Sequence, residues 1–312
     1  MTIVTVFGGT GFLGRPLVRR LAIEQATVRV AVRNAELART TLRADGLGGV
    51  AVFRADVREP DSLVAALAGA DAVVNAVSAY VEKGGMTFEG IHVQGAEAVA
   101  RKAAEAGLAR LVLISGIGAD PSSASCYIRA RGRGELAVQR AFPGATIVRP
   151  SAMFGPGDAL FGTLADIARL LPVLPLIGGA HTRLQPVYVQ DVVEAVCRML
   201  INPQTTGRTY ELVGPRTYTM RELVLFTLRL AGKRRPLITV PFMIASSLAR
   251  LFELLPNPPL TTSQVDLLRS DNAASGVLPG FQDLGIRPEA VEEVVPTYIS
   301  RSHTRRNRSE AP

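Results

Sequence analysis

Short apolar runs alternate with stretches whose apolar positions recur every three or four residues, and this rhythm fills the first half of the chain. Ile3 to Phe7 predicts a strand that ends at glycines; Leu13, Leu17, Val18 and Leu21 then mark one face of a helix. Further strands are predicted at Val28–Val32, Val50–Phe53, Ala72–Ala76, Leu111–Ile114 and Ala145–Val148. Helices are predicted over Pro60–Leu67, Phe88–Ala106 and Ile128–Phe142, with Pro60 suited to a first helical turn. The strand runs are short and rich in Val and Ile, as they are when helices cover both faces of a sheet. Repeated βα units predict an α/β fold, a Rossmann-type doubly wound parallel sheet.

After Pro150 the rhythm breaks, and Pro156, Pro172, Pro175, Gly178, Gly179 and Pro186 crowd the chain. One more βα unit reads at Pro186–Val189 and Val192–Leu200. The expected organisation is a nucleotide-binding domain over 1–153, rejoined by 184–202. A smaller, mostly helical C-terminal lobe takes 154–183 and 203–300. Residues 301–312 are polar and basic and read as a tail without packed structure.

Composition narrows the function. No apolar run reaches ~18 residues without charge, so no membrane span is expected. Two cysteines and three scattered histidines supply neither a disulfide framework nor a metal site. Aromatics are 5% and Trp is absent, which leaves little for stacking on nucleic-acid bases. The net charge of +8 is almost all arginine, since lysine occurs only at Lys83, Lys102 and Lys233. Arg301, Arg305, Arg306 and Arg308 lie in the tail and offer charge to an anionic membrane surface. The first residues already read as a strand, so no leader is expected and the setting is cytoplasmic.

The strongest local signal is Gly8-Gly9-Thr10-Gly11-Phe12-Leu13-Gly14 at a strand-to-helix junction. Glycines let the backbone approach a pyrophosphate, and a helix N-terminus favours its charge. The second strand ends at Arg33, where an NAD site offers a carboxylate to the ribose. An arginine pairs instead with a 2′-phosphate, and Arg15 adds to that charge, so NADP(H) is expected in preference to NAD(H). Asp56 and Val57, after the third strand, suit an adenine contact.

These features resemble the short-chain dehydrogenase/reductase superfamily in its extended or atypical branch, over most of the chain. Asn75-Ala76-Val77 is similar to the superfamily's cofactor-flanking turn. Arg149-Pro150-Ser151 with Phe154-Gly155-Pro156-Gly157-Asp158 is similar to the segment beside the nicotinamide. Gln185 to Val192 is similar to a later strand–helix junction, where Asp191 reads as a helix N-cap. Superfamily enzymes use Tyr-x-x-x-Lys, the lysine depressing the tyrosine pKa from ~10 toward working pH. Tyr127-Ile128-Arg129-Ala130-Arg131 puts arginine in the lysine place, a planar fork instead of a point charge. Ser115 lies at a strand end, short of the usual serine position near Gly116 or Ile117. If the chain turns over, Tyr127, Arg131 and Ser115 carry the roles. If not, Tyr127 holds cofactor ribose.

Within the superfamily the chain resembles the atypical group that contains the nucleotide-binding accessory subunit of respiratory complex I and its bacterial relatives. Tyr127 to Glu135 and Ala141-Phe142-Pro143 carry that likeness. So do Pro258-Pro259-Leu260-Thr261, Gln264 to Leu268, Ser270-Asp271-Asn272, Leu284-Gly285-Ile286 and Pro296-Thr297-Tyr298. The resemblance implies NADPH binding without established turnover, and contact with peripheral-arm subunits of NADH:ubiquinone oxidoreductase. It also implies peripheral attachment to that membrane-bound enzyme; the expected lack of a transit peptide points to a bacterial protein, and so to the cytoplasmic face of an inner membrane. The rival readings are an NAD(P)-dependent oxidoreductase or epimerase/dehydratase with Tyr127 as acid, and a cofactor-sensing regulator. From Pro241 to Leu255 apolar residues recur at helical spacing, as for a helix packed in the C-terminal lobe or one lying on a surface.

Overall fold

The computed structural model describes residues 2–253, 255 and 260–299. β1 (Ile3–Phe7), β2 (Thr27–Val32), β3 (Ala51–Arg54), β4 (Ala72–Asn75), β5 (Arg110–Ile114) and β6 (Thr146–Pro150) form one parallel sheet. Their order is β3-β2-β1-β4-β5-β6, and Thr209–Leu212 pairs in parallel beyond β6 as a seventh strand. Strand order reverses between β1 and β4, so the crevice at their carboxyl ends is where such a sheet takes a ligand. β4 is buried at all four positions, as a central parallel strand must be.

The connecting helices are α1 (Gly14–Ile23), α2 (Ala35–Ala44), α3 (Val64–Leu67), α4 (Ala96–Glu105) and α5 (Cys126–Ala141). Sequence periodicity does not announce α2, because only Ala38 and Leu42 on it are buried. Its start is fixed by Asn34, whose side chain accepts from the Leu37 amide at 3.0 Å. A π-helical turn, Glu89–Gly95, precedes α4 and turns His92 into the interior. In α5 a Cβ at Gly134 would stand 1.8 Å from the His92 carbonyl oxygen, so helix and π turn meet main chain to main chain.

This first unit comprises the chain up to Pro150 with Val192–Leu212 and Gly276–Ile286. The strand expected at Pro186–Val189 is not in its sheet. Only Val187–Tyr188 pairs, with Met153–Phe154, because Pro186 has no amide to extend the ladder.

A second unit takes Ser151–Asp191, Val213–Ser275 and the chain from Arg287 on. It holds α6 (Phe161–Leu170), the start of α7 (Val189–Ile201), α8 (Met220–Leu230), α9 (Phe242–Phe252), α10 (Thr262–Leu267) and α11 (Val291–Ile299). Phe154, Phe161, Leu223, Val294 and Val295 form its core. Asp158 accepts from the Phe161 amide at 2.5 Å, capping α6, and from the Tyr298 hydroxyl at 2.5 Å. Asn272 Oδ1 accepts from the Ala152 amide at 2.7 Å, and Asp271 takes the Arg183 guanidinium at 2.8 Å. Asp191 is not an N-cap. The helix starts two residues before it, and its Oδ2 accepts from the Glu289 amide at 2.8 Å. Burial raises its pKa to about 6.

The amphipathic stretch forms α9, which packs its small residues Ala245 and Ala249 with Val265 of α10. Phe242 packs on the same cluster, while Met243, Ile244, Leu248 and Leu251 face outward, Met243 78% exposed and Leu251 60%. Pro258, Pro259 and the tail arginines lie outside the described residues.

Candidate dinucleotide site

The β1–α1 turn is closed by main-chain contact. Gly8 has φ +77° and donates to the Ala31 carbonyl at 3.2 Å; the Gly11 amide donates back to the Gly8 carbonyl at 3.0 Å. A Cβ at Gly14 would lie 2.1 Å from the Gly8 carbonyl oxygen, and one at Gly8 would lie 2.9 Å from that of Ala76. The turn, with Thr10, Phe12 and Leu13 in it, therefore brings the N-terminus of α1 against the Asn75-Ala76-Val77 segment.

Arg33 follows β2, Arg58 follows β3 and Arg15 opens α1, and the three are differently engaged. Arg15 is committed to Asp45 through Nε at 2.7 Å and Nη2 at 2.5 Å. Arg58 grips Asp56 through Nε at 3.0 Å and Nη2 at 2.6 Å, and this fork holds the Asp56 carboxyl below its usual range. Arg33 is exposed, makes no ion pair among the described residues, and reaches Met86 Sδ at 3.8 Å, with the Asp56 carboxyl within electrostatic range. Val57 is buried.

At the other end, Asn75, Val77, His92, Ser115 and Arg131 line one small cavity past β4 and β5. Arg131 is buried and lies one turn beyond Tyr127 on α5. Its Nε donates to Tyr127 Oη at 2.7 Å and its Nη2 to Ser78 Oγ at 2.8 Å, while Nη1 has no partner among the described residues. Burial pushes the Tyr127 phenol above its ordinary value, and Arg131 opposes this only in part. An acid–base tyrosine is tuned in the opposite direction. Ser115 Oγ donates to Glu135, whose carboxylate takes Arg149 through Nε at 3.0 Å and Nη2 at 2.6 Å. Ser115 is thus part of a buried bridge between β5, α5 and β6.

A family model for NAD(P)H binding matches residues 8–156. A mitochondrial NADH dehydrogenase [ubiquinone] 1 alpha subcomplex subunit 9 from Arabidopsis thaliana is 36% identical over 302 residues, 93% of this chain and 75% of its own length. The chain belongs to that complex I subunit family. A ceramide reductase from Caulobacter vibrioides is 30% identical over 82% of this chain and 80% of its own. The dTDP-glucose 4,6-dehydratase DesIV of Streptomyces venezuelae, solved with NAD and TYD, aligns over 98% of both chains. At TM-score 0.75 and 20% identity the two chains share a fold.

The residues of this family member fit a dinucleotide on two physical grounds. The glycine turn is too tight for any side chain at Gly14, and Arg131 presents a buried Nη1 that lacks an acceptor. Sequence reasoning missed Ser78, Tyr80, His92 and Glu135. The spacing of Tyr127, Arg131 and Glu135 at four residues along one helix was the available signal.

His92 yields a test of the site's burial. Its Nε2 donates to the Ala79 carbonyl at 2.9 Å, and burial with nearby Arg131 lowers its pKa to about 4. Between about pH 4 and 6.5 the unfolded chain holds a proton that the folded chain refuses. Stability therefore falls on acidification through that window, by on the order of 3 kcal/mol. Asp191 acts oppositely, since its folded carboxyl takes its proton first as pH falls through about 6. Urea unfolding of wild type and His92→Gln from pH 7 to 4 isolates the histidine. The variant should lose the steeper acid slope, and parallel slopes would refute the assignment.

Proposed function

We propose that this chain holds NADP(H) with little or no turnover, as an accessory subunit that docks peripherally on NADH:ubiquinone oxidoreductase. The observation that carries this reading is the Tyr127–Arg131 pair. The phenol is buried, shifted away from neutrality and gripped by a guanidinium, while Ser115 is spent on Glu135. The likeness to the complex I subunit, which spans nearly the whole chain, supports the docking.

In this reading the Gly8–Gly14 turn and the α1 N-terminus take the pyrophosphate. Arg33 takes the 2′-phosphate, since Arg15 is matched by Asp45. Val57 flanks the adenine, and Asp56 reaches it only by loosening Arg58. Asn75, Ala76, Val77 and Pro150 border the nicotinamide end. Arg131 Nη1 and Tyr127 hold ribose hydroxyls. The bound nucleotide supplies a hydride, but these residues offer no activated acid to accompany it.

Purified protein is expected to bind NADPH, to release it intact on denaturation, and to co-purify with complex I from detergent-solubilised membranes. A panel of carbonyls and quinones should leave the nucleotide unoxidised. The ceramide reductase similarity favours an enzyme as the second reading. Robust activity that vanishes in Tyr127→Phe would establish it.

The exposed face of α9 supports contact with an anionic membrane surface, helped by Lys233 and Arg234 shortly before it and by the tail arginines. No helix among the described residues is long and apolar enough to cross a membrane. In flotation with anionic vesicles the free chain should float at low salt and be released at high salt. A Met243→Ser, Leu251→Ser double variant and truncation after Ser300 should each weaken floating and leave NADPH affinity unchanged. Equal floating of all three chains would remove the membrane from the reading.

A further inference from the structure

We propose that Tyr80 closes the nicotinamide end of the site to a second ligand, its ring lying against Tyr127 where a small planar carbonyl compound would otherwise meet the phenol. The inference rests on the holding-site reading and names the residue that keeps the site a holding site.

Tyr127 is enclosed by four side chains. Phe88 and His92 meet its ring edge-on, with centroids at 5.4 and 5.5 Å, and the Arg131 guanidinium lies 4.9 Å from its centroid. All three of these are themselves buried. Tyr80 is the fourth, stacked at 5.6 Å and 28°, and it is 55% exposed. A molecule approaching Tyr127 from solvent therefore meets Tyr80 first.

The segment that carries Tyr80 is built to stay in place. Lys83 and Met86 exchange amide–carbonyl hydrogen bonds at 3.1 and 3.0 Å around Gly84 and Gly85, both with positive φ, which makes a two-residue hairpin. Glu82 accepts from the Phe88 amide at 2.7 Å. On the Tyr80 side, Ser78 is held by Arg131 and Ala79 by His92. On the other side, Met86 is touched by Arg33. The loop is thus anchored both to the buried cation at one end of the crevice and to the exposed arginine at the other.

The test is nitration of the full-length protein by tetranitromethane, read tyrosine by tyrosine by peptide mass, alongside NADPH titration by fluorescence. In the wild type Tyr80 should react and Tyr127 should be protected. Tyr80→Ala should raise Tyr127 nitration about tenfold, the factor that a lost stacked cover corresponds to. Tyr80→Phe keeps the ring and should keep the protection. NADPH titration of the variants reports whether the site around Tyr127 and Arg131 stays assembled when the cover is removed. Tyr127 equally protected in Tyr80→Ala, or equally exposed in Tyr80→Phe, overturns the proposal. Failure of the wild type to bind NADPH overturns the holding-site reading instead, and the nitration pattern still decides whether Tyr80 is the cover.

Discussion

Gly134→Ala should lower the unfolding free energy by roughly 3 kcal/mol and abolish nucleotide binding with it. The added methyl would stand 1.8 Å from the His92 carbonyl oxygen, and that atom belongs to main chain inside a π-helical turn. Neither side can yield by rotating a side chain, so α5 must lift from the turn. Tyr127 and Arg131 ride on α5, and the Ala79–His92 and Ser78–Arg131 hydrogen bonds join the same contact. The site therefore fails together with the packing. Gly162→Ala in α6 is the control, because a Cβ there meets nothing within 4 Å. In a helix that change should be neutral or mildly stabilising. Thermal and urea melts of both variants, with NADPH titrations, make the comparison. Equal stability of the two would mean that α5 and the π turn do not meet as closely as described.

Arg33→Glu should weaken NADPH binding by about a hundredfold while changing NADH binding little. A phosphate loses a charge-assisted partner and gains a repelling carboxylate, whereas a plain ribose loses neither. Arg33 is suited to the role because no carboxylate among the described residues forms an ion pair with it, in contrast to Arg15 on Asp45 and Arg58 on Asp56. Arg15→Ala should therefore discriminate far less between the two nucleotides than Arg33→Glu does. Parallel losses for both nucleotides in the Arg33 variant would leave the preference for the 2′-phosphate without a basis.

The strands of the sheet were legible because central parallel strands are apolar on both faces, as Ala72–Asn75 is at every position. The glycine turn was legible because its chemistry is local. What stayed hidden is what long-range contact decides. Thr209–Leu212 is short and includes the charged Glu211, yet it completes the sheet beside β6. The partner of Ser115 lies on the next helix, and no property of Ser115 itself distinguishes a serine facing Glu135 from one facing a substrate. Tyr80 sits in a loop whose shape depends on two glycines and on anchors elsewhere in the crevice. The C-terminal run that marks the family did prove structural. Asp271 and Asn272 fasten segments near residues 152 and 183, and Tyr298 fastens Asp158.

That last fastening fixes when the molecule can be finished. The Tyr298–Asp158 hydrogen bond joins residues 140 apart in the chain, and the first unit likewise needs Gly276–Ile286. On a ribosome, the first unit cannot close before Ile286 has emerged, nor the second before Tyr298. A nascent chain halted at Pro150 would have six strands of the sheet and an open β6 edge, ready to pair with whatever strand is near. Everything before Gly276 is therefore synthesised without a completed folding unit. Premature stops and slow translation over the codons from Gly276 to Tyr298 should be costly out of proportion to the number of residues involved.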